Sequence, residues 1–267
     1  MDIVSLFWLF VMISSLQPIL RQRLIEAARQ RLIARIEEQR KSRLILIVHR
    51  QETMRLLGFP VLKYLSMEDS EDVLRALEST DEDRDIDLVL HTPGGLVIAA
   101  LQIARAIQRR RGKTRVIVPH YAMSGGTLIA LAADKIIMSK NAVLGPIDPQ
   151  IGEFPAPSLV ALRRSKDINE TDDRTLILAD IAEKALDQMR HAVAELLAKN
   201  YPAEVVERVA TALTSGQWTH DFPITPQMAQ ELGLNVRTDI PEEFLQLMSL
   251  YPQPIRMQRS VEFLSGS

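Results

Sequence analysis

The sequence predicts an α/β protein built on a largely parallel sheet, and three features carry that expectation. Short apolar runs that suit buried strands alternate with segments of helical periodicity. Glycine pairs stand where such runs give way to helices, at Gly94-Gly95 and Gly125-Gly126. Ahead of this pattern, Ile3 to Leu20 is free of charge and about long enough for a minimal membrane-spanning helix.

That N-terminal stretch is weakened at its end by Ser14, Ser15, Gln17 and Pro18. Asp2 precedes it, and Arg21 and Arg23 follow, the reverse of the charge order in a cleavable signal peptide. The basic flank continues through Arg29, Arg31, Arg35, Arg40, Lys41 and Arg43, which by the positive-inside rule belongs in the cytoplasm. The expectation is a single-pass membrane protein with its N-terminus outside and its main domain cytoplasmic. Residues 1–20 are the anchor, 21–43 a basic amphipathic helical linker, 44–240 the main domain, and 241–267 a C-terminal helix and tail. Within the linker, Leu24, Ile25, Ala28, Leu32, Ile33 and Ile36 recur at helical spacing. They suit a stalk packed on its own domain, or a helix lying on a membrane or against another copy.

Leu44 to His49 begins the main domain as a buried strand. A helix follows Ser66, because Glu68, Asp69, Glu71 and Asp72 crowd its first turn, where the helix dipole favours negative charge. Asp85 to His91 is the next strand, Leu96 to Arg110 the next helix, and Arg115 to Pro119 the third strand. A helix from the Ser124 turn to about Ala133 leads to a strand at Lys135 to Met138. Asn141 to Pro157, rich in Pro and Gly, is expected to be an irregular loop, and Thr175 to Lys199 a long helix. Tandem repeats and low-complexity tracts are absent.

Composition narrows the chemistry. With 267 residues, 46% hydrophobic and 25% charged, the chain suits one catalytic-sized domain with short appendages. A net charge of -2 gives no reason to expect a nucleic-acid partner. The absence of cysteine removes disulfides, thiolate nucleophiles and cysteine-ligated zinc, and no histidine pair has zinc spacing, so no metal is expected. Of the five histidines, His49 and His91 end strands and His120 lies four residues before Ser124. These three border a cleft or bond locally, while His191 sits on the long helix as a surface residue. Trp218 suits a substrate pocket or plain packing.

In an α/β sheet, strand-to-helix turns collect at the carboxyl ends of the strands, where ligands bind. Ser124 in Tyr121-Ala122-Met123-Ser124-Gly125-Gly126-Thr127 stands at such a turn. It suits either a helix cap or a nucleophile beside amides that receive an oxyanion.

The motifs His91-Thr92-Pro93-Gly94-Gly95, Ala122-Met123-Ser124-Gly125-Gly126-Thr127 and Gly145-Pro146-Ile147-Asp148-Pro149-Gln150 together resemble the serine dehydrogenase proteinase family. That family is a distant relative of the Clp protease and signal peptide peptidase A, and the likeness runs from about Leu44 to about Val236. It implies a Clp/crotonase-like spiral of strand-strand-helix units that carries a peptidase. By the family pattern Ser124 is the nucleophile, and the amides of Gly95 and Gly125 form the oxyanion hole. The loop that carries the histidine in the Clp protease holds Asp148 here and no histidine. His220, in Ser215-Gly216-Gln217-Trp218-Thr219-His220-Asp221, lies in the region that resembles the source of the Clp aspartate. The family's order of Ser, Asp, His thus matches Ser124, Asp148 and His220, with Asp221 a competing orienter. The alternative is a Ser124–Lys166 dyad like that of signal peptide peptidase A.

No cofactor is implied, and no dinucleotide or ATPase fingerprint is present. The resemblance therefore implies a membrane-anchored serine endopeptidase acting on peptides or unfolded protein, membrane-derived ones among them, and assembling with copies of itself. A crotonase-type acyl-CoA enzyme and a non-catalytic membrane scaffold share the fold and are the competing classes.

Overall fold

The computed structural model describes residues 3–49, 55–56, 59–60 and 63–251. The chain opens with helix α1 (Ile3–Arg40), strand β1 (Ser42–Val48), two short strands β2 (Arg55–Leu56) and β3 (Phe59–Pro60), and helix α2 (Met67–Glu78). Strand β4 (Asp85–His91), helix α3 (Val97–Gln108), strand β5 (Thr114–Val118), the short β6 (Tyr121–Ala122), helix α4 (Gly125–Leu131) and strand β7 (Lys135–Met138) follow. Next come the two-residue strands β8 (Val143–Leu144), β9 (Gln150–Ile151) and β10 (Phe154–Pro155), then helices α5 (Ala156–Ser165), α6 (Asp173–Leu197), α7 (Ala203–Thr214) and α8 (Pro226–Glu231). Strand β11 (Val236–Arg237) and helix α9 (Glu242–Ser249) close the described chain.

Two compact units emerge, one of residues 1–40, 50–61 and 241–267, the other of 41–49 and 62–240. In the first, α1 packs on α9. Arg40 lays its guanidinium 5.3 Å from the centre of the Phe244 ring, and Arg29 lies 4.8 Å from that of Tyr251. Such cation–π contacts let basic side chains cover an apolar face. The anchor and linker expected as separate segments form one continuous helix, and Pro18 does not end it. Among the described residues no helix is long and apolar enough to cross a membrane. Most of the expected C-terminal tail, residues 252–267, lies outside the described residues.

The second unit holds a five-stranded sheet in the order β1-β4-β5-β7-β11, parallel at every pairing. Strands β4 (DIDLVLH) and β7 (KIIM) are almost wholly buried, as expected of strands covered on both faces. The helix α2 begins at Ser66, where a capping box pairs the Ser66 and Asp69 side chains with each other's amides. Helix α4 (GGTLIAL) is buried along its whole length. Its small and apolar residues leave no solvent face, so it is held centrally.

A second set of pairings lies past the carboxyl ends of the main strands. Leu65 pairs with Gly95, Thr92 with Ala122, β6 with β8, and Leu144 with Ile224. Strands β4, β5 and β7 thus each lead into a short segment that pairs with a neighbour again, and Leu65, just ahead of α2, pairs with the corner after β4. The stretch expected to be an irregular loop, Asn141 to Pro157, contains β8, β9, β10 and the start of α5. Two-residue strands have no periodicity to read, which is why they escape the sequence.

At the opposite end of the sheet, fully buried Asp87 accepts hydrogen bonds from Arg115 Nε at 2.6 Å and Ser42 Oγ at 2.6 Å. Removing one partner of a buried pair costs more than replacing both. Arg115→Met is expected to lower stability by about 3 kcal/mol, seen as a fall in the urea midpoint at unchanged slope. The double variant with Asp87→Leu should recover most of that loss.

Candidate active site

Ser124 takes φ 48° and ψ -115°, a left-handed conformation that a side-chain-bearing residue adopts only when its surroundings force it. The residue joins β6 to α4, so the turn is a sharp strand-to-helix elbow that lifts the serine out of the packed interior. Its hydroxyl does not cap the helix, and the residue is half-buried. The elbow is fastened from below by Thr127, whose buried hydroxyl donates to the Ala122 carbonyl at 2.7 Å and accepts the Gly145 amide at 2.9 Å.

Against this elbow lies the corner after β4. A Cβ on Gly94 would stand 2.8 Å from Ser124 Cβ, and one on Gly95 would stand 2.3 Å from the Leu65 carbonyl oxygen. Both glycines have positive φ, 101° and 153°. Only a residue without a side chain fits there, and the result is close approach of two backbones. Among the described residues, the amides of Gly95 and Gly125 donate to no other group. The Gly95 amide nitrogen lies within 3.6 Å of where a Cβ on Gly125 would be, so both uncommitted donors flank the serine. Paired free amides beside a serine hydroxyl are what an oxyanion hole and its nucleophile require.

The loop after β8 passes close to the elbow, because a Cβ on Gly145 would meet the Met123 side chain at 2.6 Å. That loop carries Asp148, which is 3% exposed. The Leu144–Ile224 bridge and the bond from the Ile147 amide to the Leu213 carbonyl draw residues 213–224 alongside. His220 Nδ1 then lies 2.9 Å from Asp148 Oδ1, while Asp148 Oδ2 accepts from Gln150 Nε2 at 2.8 Å. Both carboxylate oxygens of the buried aspartate are therefore satisfied.

Asp148 and His220 are brought together across the fold. Among the described residues no hydrogen bond joins either to Ser124. Lys166 is exposed at the end of α5, and Asp221 is also exposed. Gln150 belonged to a quoted motif, yet nothing in the sequence pointed to its bond with Asp148. Trp218 stacks on Phe222 with ring centres 5.2 Å apart, and His191 is exposed on α6.

Comparison with known proteins decides the family. The family model described as ClpP-like SDH-type serine proteinase matches residues 1–266. The chain belongs to this ClpP-like serine proteinase family. The proteinase is 50% identical over 259 residues to an uncharacterised protein of Methanocaldococcus jannaschii, covering 97% of this chain and 91% of the relative. A probable protease SohB of Haemophilus influenzae is 25% identical over 177 residues, or 60% of this chain and 48% of that protein. A solved serine-to-alanine variant of a membrane-bound stomatin-specific protease aligns with a TM-score of 0.49 at 20% identity, covering 76% of this chain and 82% of that one. The ClpP-like proteinase is thus a serine peptidase, with peptides or proteins as its substrates.

Beside the glycine corner, the proteinase buries a further polar group. His49 is 4% exposed, with Nδ1 2.8 Å from Thr92 Oγ1 and Nε2 3.4 Å from Asp69 Oδ2. Burial pushes its pKa below the ordinary 6.5; Asp69 opposes that shift and Lys63 adds to it. Burial works to raise the Asp69 carboxyl, but bonds from the Ser66 amide and hydroxyl and the nearby His49 leave it below the usual carboxylate value. An unfolded chain thus binds a proton at His49 more readily than the folded one, so stability is retained above about pH 6.5 and lost as pH falls through the lower folded value. Urea midpoints measured between pH 7.5 and pH 5 are expected to fall in the native protein, and to fall less steeply in His49→Gln.

Proposed function

We propose that Ser124 is the nucleophile, His220 the general base and Asp148 its orienting carboxylate. The observation that carries this reading is the bond between His220 Nδ1 and buried Asp148, in a loop packed against the Ser124 elbow. With Nδ1 engaged, Nε2 is the nitrogen that takes the Ser124 proton as Oγ attacks a peptide carbonyl. The negative charge that develops on the carbonyl oxygen is received by the Gly95 and Gly125 amides. His220 then returns the proton to the leaving amine, an acyl ester remains on Ser124, and water activated by the same imidazole releases the acid. The dyad alternative fits less well, because a lysine base needs burial to lose its proton near neutrality and Lys166 is exposed.

Leu96, Val97 and Ile98 follow Gly95 directly and are each more than two-fifths exposed, which supports an apolar peptide running beside the oxyanion donors. The reading also includes a membrane tether through the charge-free run from Ile3 to Leu20, with the peptidase on the cytoplasmic side. It is supported by that run and the arginines after it. Self-assembly is carried over from the family resemblance.

A fluorophosphonate probe is expected to label the native protein and not Ser124→Ala. His220→Ala should lose about 10³-fold in kcat toward labelled casein, while Lys166→Ala stays near native turnover. Native turnover in His220→Ala, with Lys166→Ala inactive, would instead establish the dyad. Expressed at full length, the protein should remain in the pellet after alkaline extraction of membranes, and removal of residues 1–20 should release it; a native chain extracted at high pH would contradict the tether.

A further inference from the structure

The proposed mechanism gives no role to buried His49, which stands beside the glycine corner, nor to Thr92. We propose that His49, held by Asp69, is a positioning residue that aims the Gly95 amide through the Thr92 hydroxyl. This inference rests on the peptidase reading above.

The argument follows the protons. Asp69 Oδ2 accepts from the Ser66 amide and hydroxyl, each at 2.8 Å, and stands 3.4 Å from His49 Nε2, where a carboxylate favours the tautomer that carries its proton on Nε2. A neutral imidazole protonated at Nε2 presents Nδ1 as an acceptor, and the hydroxyl 2.8 Å away is Thr92 Oγ1. The other acceptor open to that hydroxyl is the Gly94 carbonyl. It lies at a long 3.5 Å and already takes the Leu65 amide at 2.7 Å. The Thr92 hydroxyl therefore donates to His49 Nδ1, which leaves a lone pair of Oγ1 directed to the Gly94 amide at 3.1 Å. The depressed pKa of His49 keeps this polarity at neutral pH.

These bonds close a ring. Leu65, which precedes the Ser66 cap, pairs with the corner through its amide to Gly94 and through its carbonyl to the Leu96 amide. Asp69 of the same helix end holds His49, and His49 holds Thr92 on the other side of the corner. The Gly94-Gly95 peptide is thus gripped from both flanks, while the Gly95 amide has no partner of its own among the described residues. Thr92 is fully buried, so it cannot itself meet substrate. Its only consequence for chemistry is the direction of the next amides, and a buried ring of this kind transmits the loss of any one member.

The test uses the full chain, with the fluorophosphonate labelling rate and labelled-casein kinetics as readouts. Thr92→Val, which removes the hydroxyl at constant shape, should lower the labelling rate and kcat by tenfold or more with KM unchanged. Thr92→Ser, which restores the hydroxyl, should return both to within about threefold of native. His49→Gln should match Thr92→Val, whereas His49→Asn, whose carbonyl oxygen can stand near the position of Nδ1, should retain more activity. Combining Thr92→Val with His49→Gln should cost no more than either alone, because both break one chain of bonds. If Thr92→Val fails to fold, Asp69→Asn carries the same expectation from a partly exposed position. Native labelling rates in folded Thr92→Val or Asp69→Asn, or losses that multiply in the double variant, would overturn the inference and leave the peptidase standing. A native protein that the probe does not label at Ser124 overturns the peptidase reading and this inference with it.

Discussion

Backbone groups at the candidate site are positioned by a short ladder of hydrogen bonds laid past the carboxyl ends of the parallel strands. The pairings Leu65–Gly95, Thr92–Ala122, β6–β8 and Leu144–Ile224 succeed one another across the sheet. Thr92–Ala122 and β6–β8 tie a segment just after one main strand to the segment after the next, while Leu65, ahead of α2, and Ile224, ahead of α8, extend the ladder at its two ends. Without this second ladder, the main sheet would deliver four loop beginnings to one edge and leave their course open. With it, the elbow at Ser124, the corner at Gly95 and the loop of Asp148 are held in register by bonds whose geometry tolerates little slip.

The ladder explains why strain can persist at Ser124. A left-handed serine costs about 1–3 kcal/mol and survives only where neighbours determine it from several sides. Here the elbow is preceded by a paired strand, followed by a helix buried along its length, and pinned underneath by Thr127. The same crowding sets the need for glycine at positions 94 and 95, where any side chain would collide with Ser124 or Leu65. Strain, glycine and free amide are consequences of one close approach of two backbones.

Polar burial is organised around that approach. Asp148 and His49 are both nearly inaccessible, and each belongs to a satisfied set: Asp148 with His220 and Gln150, His49 with Asp69 and Thr92. Buried polar groups are tolerated when paired and costly when orphaned. A polar side chain placed in the interior therefore specifies its partners, and in doing so fixes the loops that carry them. The ClpP-like family to which the chain belongs supplies the peptidase chemistry; these pairings supply the rigidity that such chemistry needs.

Sequence by itself determined what local patterns encode. The strands at Asp85–His91 and Lys135–Met138 coincide with the expected ones because central parallel strands are apolar on both faces. The start of α2 was legible because acidic residues crowd the turn after Ser66, where the helix dipole favours them; that Ser66 and Asp69 also close a capping box there is seen only in the fold. The glycine pairs were legible as turns, and the motifs around Ser124 as a family resemblance. Tertiary structure alone decided the rest. Asp148 and His220 meet across 72 residues, Leu65 reaches Gly95 across another strand and helix, and Gln150 and His49 acquire partners no spacing announces. Helix α7 and the two-residue strands went unread, and the single helix from Ile3 to Arg40 ran on through the proline expected to weaken it. Periodicity and capping act within a few residues of the chain, whereas a bond between distant loops exists only after the sheet has brought their ends to one edge.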